Sequence, residues 1–251
     1  MKSLREIFDN HNGRLIHKWD HYIEIYDQYF SKFRDREINI LEIGLSQGGS
    51  IDMWKEYFGS KANIFGIDIN PDSKTFEEEK VKVFIGSQDD KKFLNDVRKK
   101  LPPLDILIDD GGHTMKQQIF TFEALFDIVK PDGIYLCEDV QTSYWKLYHG
   151  KYKRSSTFIE YSKNFIDQMH AWFSEEPNKF KVDYLTRNIK AIHYYTNMVF
   201  IEKENMTEPF EVKKGTVTVG FQGETGADAL NLPLKTKVMR KLKKIKNRLK
   251  R

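Results

Sequence analysis

Cysteine is almost missing from this sequence: Cys137 is the single one among 251 residues. A disulfide framework is thereby excluded. Because Cys137 closes the apolar run Ile134, Tyr135, Leu136, Cys137, it reads as a buried thiol rather than a nucleophile. No apolar run approaches the roughly 18 residues that a membrane span needs, and no leader pattern stands at the start. The expectation is a cytoplasmic protein. Internal repeats are absent, and no cluster of cysteine and histidine suggests zinc. A uniform charge is also missing. The chain carries 41 Lys and Arg against 37 Asp and Glu, but residues 235–251 hold ten of the bases and no acid. The remainder has 31 basic and 37 acidic residues, a net of −6. A body of that charge is not the basic surface of a nucleic-acid enzyme, and no nucleic-acid partner is expected.

What is present suits one α/β domain with appendages. The first forty residues place Trp19, Tyr22, Ile23, Tyr26 and Phe30 at helical spacing, which predicts amphipathic helices forming a lid or flank over residues 1–37. Strands are predicted at 38–45, 62–69, 81–85, 105–108 and 133–137, with helical segments after the first of them and at 90–100 and 116–129. Short apolar strands alternating with helices demand right-handed crossovers, so the expected architecture is a doubly wound α/β fold with a mostly parallel sheet. It would occupy 38–204. Residues 141–180 are rich in aromatics and lysine without clear period and read as an insertion over the site, taken as about 146–190. Ala191 to Glu202 resumes as a strand, and 215–221 could add another. An extension over 205–234 and a basic amphipathic tail over 235–251 complete the chain.

In such a sheet the ligand binds where the carboxyl ends of the strands open, usually at the first strand-to-helix turn. Here that turn is Glu42, Ile43, Gly44, Leu45, Ser46, Gln47, Gly48, Gly49, Ser50. Gly44 and Gly48 let the backbone turn sharply against a ligand, and the helix behind them offers free N–H groups. Ser46 stands where a dinucleotide site has its second glycine, the residue that makes room for a pyrophosphate. A nucleoside ligand without phosphates fits better, and a nicotinamide oxidoreductase is disfavoured. Asp68, at the end of the second strand, could accept both ribose hydroxyls. Ile69 could cover an adenine face, and Gln88 with Asp89 could reach its edge.

The fourth strand ends in Asp109, Asp110, Gly111, Gly112, His113 and the fifth in Glu138, Asp139. Parallel strands bring both groups to the cofactor's edge of the sheet, placing three or four carboxylates in one cleft. Such a set needs a compensating cation or donors, and oxygen-only ligands favour a hard ion such as Mg²⁺. The plainer alternative is a helix cap at Asp109 or Asp110 and a solvated loop at Glu138 and Asp139. His113, three residues past Asp110, is a candidate base.

Glu42-x-Gly44-x-Ser46-x-Gly48, Asp68 and Gln88-Asp89 resemble the S-adenosylmethionine site of class I methyltransferases. Ile108-Asp109-Asp110-Gly111-Gly112-His113 and Glu138-Asp139-x-x-Thr142-Ser143-Tyr144-Trp145 are similar to the metal-dependent sugar O-methyltransferases of the macrocin and mycinamicin type. The resemblance runs from about residue 17 to 145 and resumes at Ile192 to Glu202. It implies S-adenosylmethionine bound by Glu42 and Gly44 at its methionine end, Asp68 at the ribose and Gln88 with Asp89 at the adenine, with Ser46, Gly48, Ile69 and Asp109 in the same set. It further implies a divalent metal on Asp110, Glu138 and Asp139, His113 as base, and a sugar hydroxyl as acceptor on a nucleotide sugar, glycan or glycosylated metabolite. A metal-dependent methyltransferase of catechols or small phenols is the alternative. A binding module with a vestigial site is another, against which the full polar set speaks. Tyr144, Trp145, Tyr148 and Tyr152 could wall a sugar ring or belong to a core.

In the tail, Val238, Leu242, Ile245 and Leu249 recur at intervals of four, three and four among the ten bases. On a helix these form one apolar stripe, suited to an anionic membrane surface at the inner face. A solvated terminus, docking on the acidic body or on a second subunit of a homo-oligomer, and nucleic acid are the other readings.

Overall fold

The structure, a computed structural model, describes residues 2–216. It divides into two units, Met1–Pro209 and Phe210–Arg251. The tail and its expected helix lie outside the described residues, as does most of the extension. So does the strand expected at 215–221, apart from Gly215 and Thr216, which are not in a strand.

The first unit begins with α1 (Leu4–Asp9), closed at its start by a reciprocal pair: the Ser3 hydroxyl accepts from the Glu6 amide while the Glu6 carboxylate accepts from the Ser3 amide. Residues 11–19, without helix or strand, lead to α2 (Tyr22–Phe30). Then follow β1 (Asn39–Ile43), α3 (Gly49–Phe58), β2 (Asn63–Asp68), β3 (Val81–Ile85), α4 (Lys91–Arg98), β4 (Leu104–Asp109), α5 (Met115–Leu125) and β5 (Val129–Cys137). A further helix, α6 (Phe158–Met169), precedes β6 (Ile189–Tyr195) and β7 (Met198–Lys203). The sheet order is β3-β2-β1-β4-β5-β7-β6. The first five strands are parallel, while β7 runs antiparallel to both β5 and β6.

The central strands are apolar almost throughout because both faces are covered, and alternation decides which core each residue enters. Ile40, Ile106, Ile108, Ile134 and Leu136 join the core under α1, α2 and α3. Leu41, Leu107, Tyr135 and Cys137 join the opposite core under α4, α5 and α6. Cys137 is fully buried and burial pushes its thiol well above the ordinary range, in line with an inert role.

The expected helical flank is present as α1 and α2, and its apolar face is built into the core: Tyr22, Ile23, Tyr26 and Phe30 are each at most 1% exposed. Two features differ from the sequence expectations. The strand expected at Ala191–Glu202 is a hairpin, turned at Thr196 and Asn197, where Asn197 takes the left-handed conformation its short polar side chain tolerates (φ 67°). The stretch 141–180 contains α6, whose start Thr157 caps by accepting from the Glu160 amide. Its buried face is only Phe158, Ser162 and Phe165, too few apolar residues to show a period.

Candidate active site

At the carboxyl edge the parallel ladder continues past the strands. Gly44 N donates to Ile67 O (2.8 Å), Gly86 N to Asp68 O (2.9 Å), Asp110 N to Ile43 O (3.0 Å) and Glu138 N to Asp109 O (2.9 Å). The loops after β1 to β5 therefore leave the sheet side by side and, with residues 15–18, line a cavity of about 400 Å³. Gly44 (φ 89°) lies so close to the β4 loop that a Cβ would collide with the Asp110 carbonyl. Gly48 (φ 76°) starts α3, and Ser46 between them is also left-handed (φ 49°).

Asp68 braces this turn. Its Oδ2 accepts from the amides of Leu45 (2.8 Å) and Ser46 (3.1 Å), and its Oδ1 from Asn70 (2.8 Å). Gly44, Ser46, Asp68, Ile69 and Gln88 all line the cavity, with Ile69 71% exposed at its rim. Gln88 is itself buried: its amide nitrogen donates to Asp109 and to Thr121 Oγ1 (2.8 Å), and its oxygen accepts from Gly112 N (3.0 Å). Asp109 stands behind the wall, where burial pushes its carboxyl up to about 7 against the opposing pull of Gln88 and the Gly111 amide. Glu42 is fully buried behind the turn, accepting from Ser50 Oγ at 2.7 Å. Asp89 is turned away, between Ser87 Oγ (2.9 Å) and Lys116 Nζ (3.4 Å).

Asp110, His113 and Asp139 each bring one ligand atom within 4.8 Å of the others. His113 Nε2 lies 3.9 Å from Asp110 Oδ1 and 3.6 Å from Asp139 Oδ2, while its Nδ1 is buried without a partner. His113 (φ 55°) and Asp139 (φ 52°) are both left-handed, strain of the kind that gathers at functional sites. Thr142 Oγ1 ties their loops together, 2.9 Å from both carbonyl oxygens. Glu138 is set apart from the trio: its Oε1 accepts from Tyr26 OH (2.6 Å) and its Oε2 from Lys18 Nζ (3.0 Å). Burial and neighbouring Asp110 raise its carboxyl well above the usual range, with Lys18 and Tyr26 opposing.

Lys18 was not among the residues expected from the sequence. Its side chain is 4% exposed, and Nζ lies 2.5 Å from Asp110 Oδ2, 3.0 Å from Glu138 Oε2 and 3.7 Å from Glu42 Oε1. Burial opposes its charge, but Asp110, Glu138 and Glu42 together outweigh that and raise its pKa. Trp19 Nε1 (3.0 Å) and Tyr22 OH (2.9 Å) donate to Asp139 Oδ1. Tyr22 and Tyr26 share one face of α2, but Lys18 lies before that helix, so no spacing in the sequence marks the three as partners.

A smaller cavity of about 220 Å³, lined by Trp19, Tyr22, Gln141 and Trp145, shares Lys18, Asp110 and Asp139 with the larger one. The carboxylates thus stand in the wall between the two. Tyr144, Trp145 and Tyr152 are 48–71% exposed, and the Tyr148 ring lies 6.5 Å from that of His113. Of the two readings of this stretch, a core is excluded for those three.

No family model matches the chain. It is similar to the 8-demethyl-8-alpha-L-rhamnosyl tetracenomycin-C 2'-O-methyltransferase of Streptomyces olivaceus, 33% identical over 72% of this chain and 50% of that protein. The mycinamicin VI 2''-O-methyltransferase of Micromonospora griseorubida is 35% identical over 71% of this chain and 47% of its own length. The fold superposes on the crystal structure of the MycE methyltransferase of the mycinamycin biosynthetic pathway, in complex with Mg and SAH, with a TM-score of 0.74 and 32% identity, covering 81% of this chain and 55% of that one. The chain belongs to the class I methyltransferases of the macrocin and mycinamicin type. It spans about half the length of the curated relatives it matches. In this chain the cluster is two carboxylates, Asp110 and Asp139, with the His113 imidazole, and the Lys18 ammonium already rests against Asp110 and the neighbouring Glu138. Positive charge fits the site, and its oxygen-rich donors suit a hard divalent cation.

Proposed function

We propose that the protein transfers the methyl group of S-adenosylmethionine to a sugar hydroxyl of a glycosylated small molecule, assisted by a divalent cation such as Mg²⁺. The observation that carries this reading is the meeting of Asp110, His113 and Asp139, the two carboxylates lining both of two adjoining cavities and His113 the larger one, so that a methyl donor in the larger and a hydroxyl in the smaller would meet beside them. Relatives named for sugar hydroxyl methylation support the substrate class. Glu42, Gly44, Ser46 and Gly48 frame the methionine end, Asp68 takes the ribose and Ile69 the adenine face. Gln88 and Asp109 act through their buried brace, while Asp89, paired with Ser87 and Lys116, faces away from the ligand. Asp110, Glu138 and Asp139 hold the metal, which supplies Lewis acidity that makes the acceptor hydroxyl easier to deprotonate. His113 Nε2 takes the proton, the oxygen–methyl bond forms as the sulfur–methyl bond breaks, and S-adenosylhomocysteine leaves. The protein's larger share is orientation: aligning oxygen, methyl carbon and sulfur and keeping water out. A cytoplasmic location, contact of residues 235–251 with the inner membrane surface and self-association are parts of the same proposal that rest on sequence alone.

The test is methyl transfer from S-adenosylmethionine to glycosylated macrolides, nucleotide sugars and catechols, followed by mass spectrometry. Chelation should abolish transfer and Mg²⁺ restore it. His113→Ala should lower turnover by about 10²- to 10⁴-fold while S-adenosylhomocysteine affinity stays nearly unchanged. Methylation of catechols alone would overturn the sugar acceptor, and full activity of metal-stripped protein or of Asp139→Ala would overturn the metal.

A further inference from the structure

We propose that Lys18 is an internal cation that a divalent metal displaces, its ammonium passing from Asp110 and Glu138 to Glu42 as the metal binds. The inference rests on the metal-assisted reading above and deepens it. Two cations cannot share the same carboxylate oxygens at contact distance, because like charges in a buried setting repel with little screening. Lys18 Nζ holds Asp110 Oδ2 at 2.5 Å and Glu138 Oε2 at 3.0 Å, and with Tyr26 on Oε1 both oxygens of Glu138 are taken. Glu138 can join Asp110 and Asp139 around a metal only if the ammonium withdraws.

A receiving group is in place. Glu42 Oε1 is buried without a hydrogen-bond partner and lies 3.7 Å from Nζ, so a small shift turns a distant ion pair into a charge-assisted hydrogen bond. The charged or titratable groups facing Lys18 are Glu42 from β1, Asp110 from the β4 loop, Glu138 from the β5 loop and Tyr26 from α2, whose ring centroid is 5.9 Å away. The segment carrying Lys18 can follow, since, among the described residues, 12–18 make no backbone–backbone hydrogen bond and are held by contacts such as Arg14 on Asp52 (2.9 Å). Leu15, Ile16 and His17 of that segment line the larger cavity, and Glu42 lies two residues before Gly44 at its turn. A lysine that moves from Glu138 to Glu42 therefore links the metal site to the cofactor turn, and linkage makes the effect reciprocal.

The experiment is calorimetric titration of Mg²⁺ into the full chain, its Lys18→Met and Glu42→Gln variants and the double variant. Displacement predicts that Lys18→Met binds Mg²⁺ at least about ten-fold more tightly than the wild type, that Glu42→Gln binds about ten-fold more weakly, and that the Glu42 effect disappears once Lys18 is Met. Should Lys18→Met not fold without metal, the weakening by Glu42→Gln alone still decides. Equal or weaker Mg²⁺ binding by Lys18→Met, or no effect of Glu42→Gln, overturns the role of Lys18 and leaves the metal reading standing. Absence of Mg²⁺ binding from all four proteins overturns both.

Discussion

Asp68 has two tasks on one carboxylate. Its three backbone hydrogen bonds hold Leu45, Ser46 and Asn70 in the shape that opens the cavity, and the same side chain lines that cavity. Removing it deletes a charge-assisted ligand contact and loosens the turn together. Asp68→Ala is expected to weaken S-adenosylhomocysteine binding by about 1.5–3 kcal/mol, the usual cost of losing a hydrogen bond to a charged group. Asp68→Asn keeps one acceptor oxygen and should fall between. Calorimetry giving wild-type affinity for both would remove Asp68 from the ligand site.

At the scale of elements, the antiparallel strand β7 lies between β5 and the edge strand β6 and brings Lys203 beneath the end of α5. Lys203 is 4% exposed, and its ammonium donates to the carbonyls of Phe126 (3.1 Å) and Asp127 (2.9 Å). Burial pulls its pKa down to about 8 from 10.5, with Asp127 opposing. Between those values the unfolded chain binds more protons than the folded one, so this residue makes stability rise with pH. Below pH 8 the cost of the buried charge is fully present. Urea unfolding of the wild type and Lys203→Met across pH 7 to 10 should give a difference that is flat at the lower end and increasingly favours the wild type above about pH 8. A difference that does not change with pH would mean the ammonium is solvated in solution.

For the whole molecule the contrast is between a body at −6 and seventeen terminal residues, 235–251, holding ten bases. Among the described residues no helix is long and apolar enough to cross a membrane. Each Lys or Arg near an anionic surface contributes about 1 kcal/mol. The full chain is expected to co-sediment with anionic vesicles at low salt and to be released by added salt, and a version ending at Leu234 is expected to stay in solution. Equal behaviour of the two would refute the tail's membrane role and leave the methyltransferase reading untouched.

Sequence by itself determined what depends on neighbours along the chain. The alternation of apolar runs and turn residues placed β1 to β5 within a few residues, since buried parallel strands must be short and apolar and their turns need residues such as Gly44 and Gly48. The same logic put Asp68, Asp110, His113 and Asp139 at one sheet edge, because parallel strands share their carboxyl ends. Tertiary structure alone decided what depends on residues far apart in the chain. Whether Ala191 to Glu202 ran on or folded back rested on β7 finding a place beside β5, and α6 rested on three buried side chains meeting α5 and β6. Above all, the position of Lys18 among Glu42, Asp110 and Glu138 joins residues up to 120 apart. Such a buried ion cluster leaves no local pattern, because its members are selected by the field they create together and not by the conformation of their own segments.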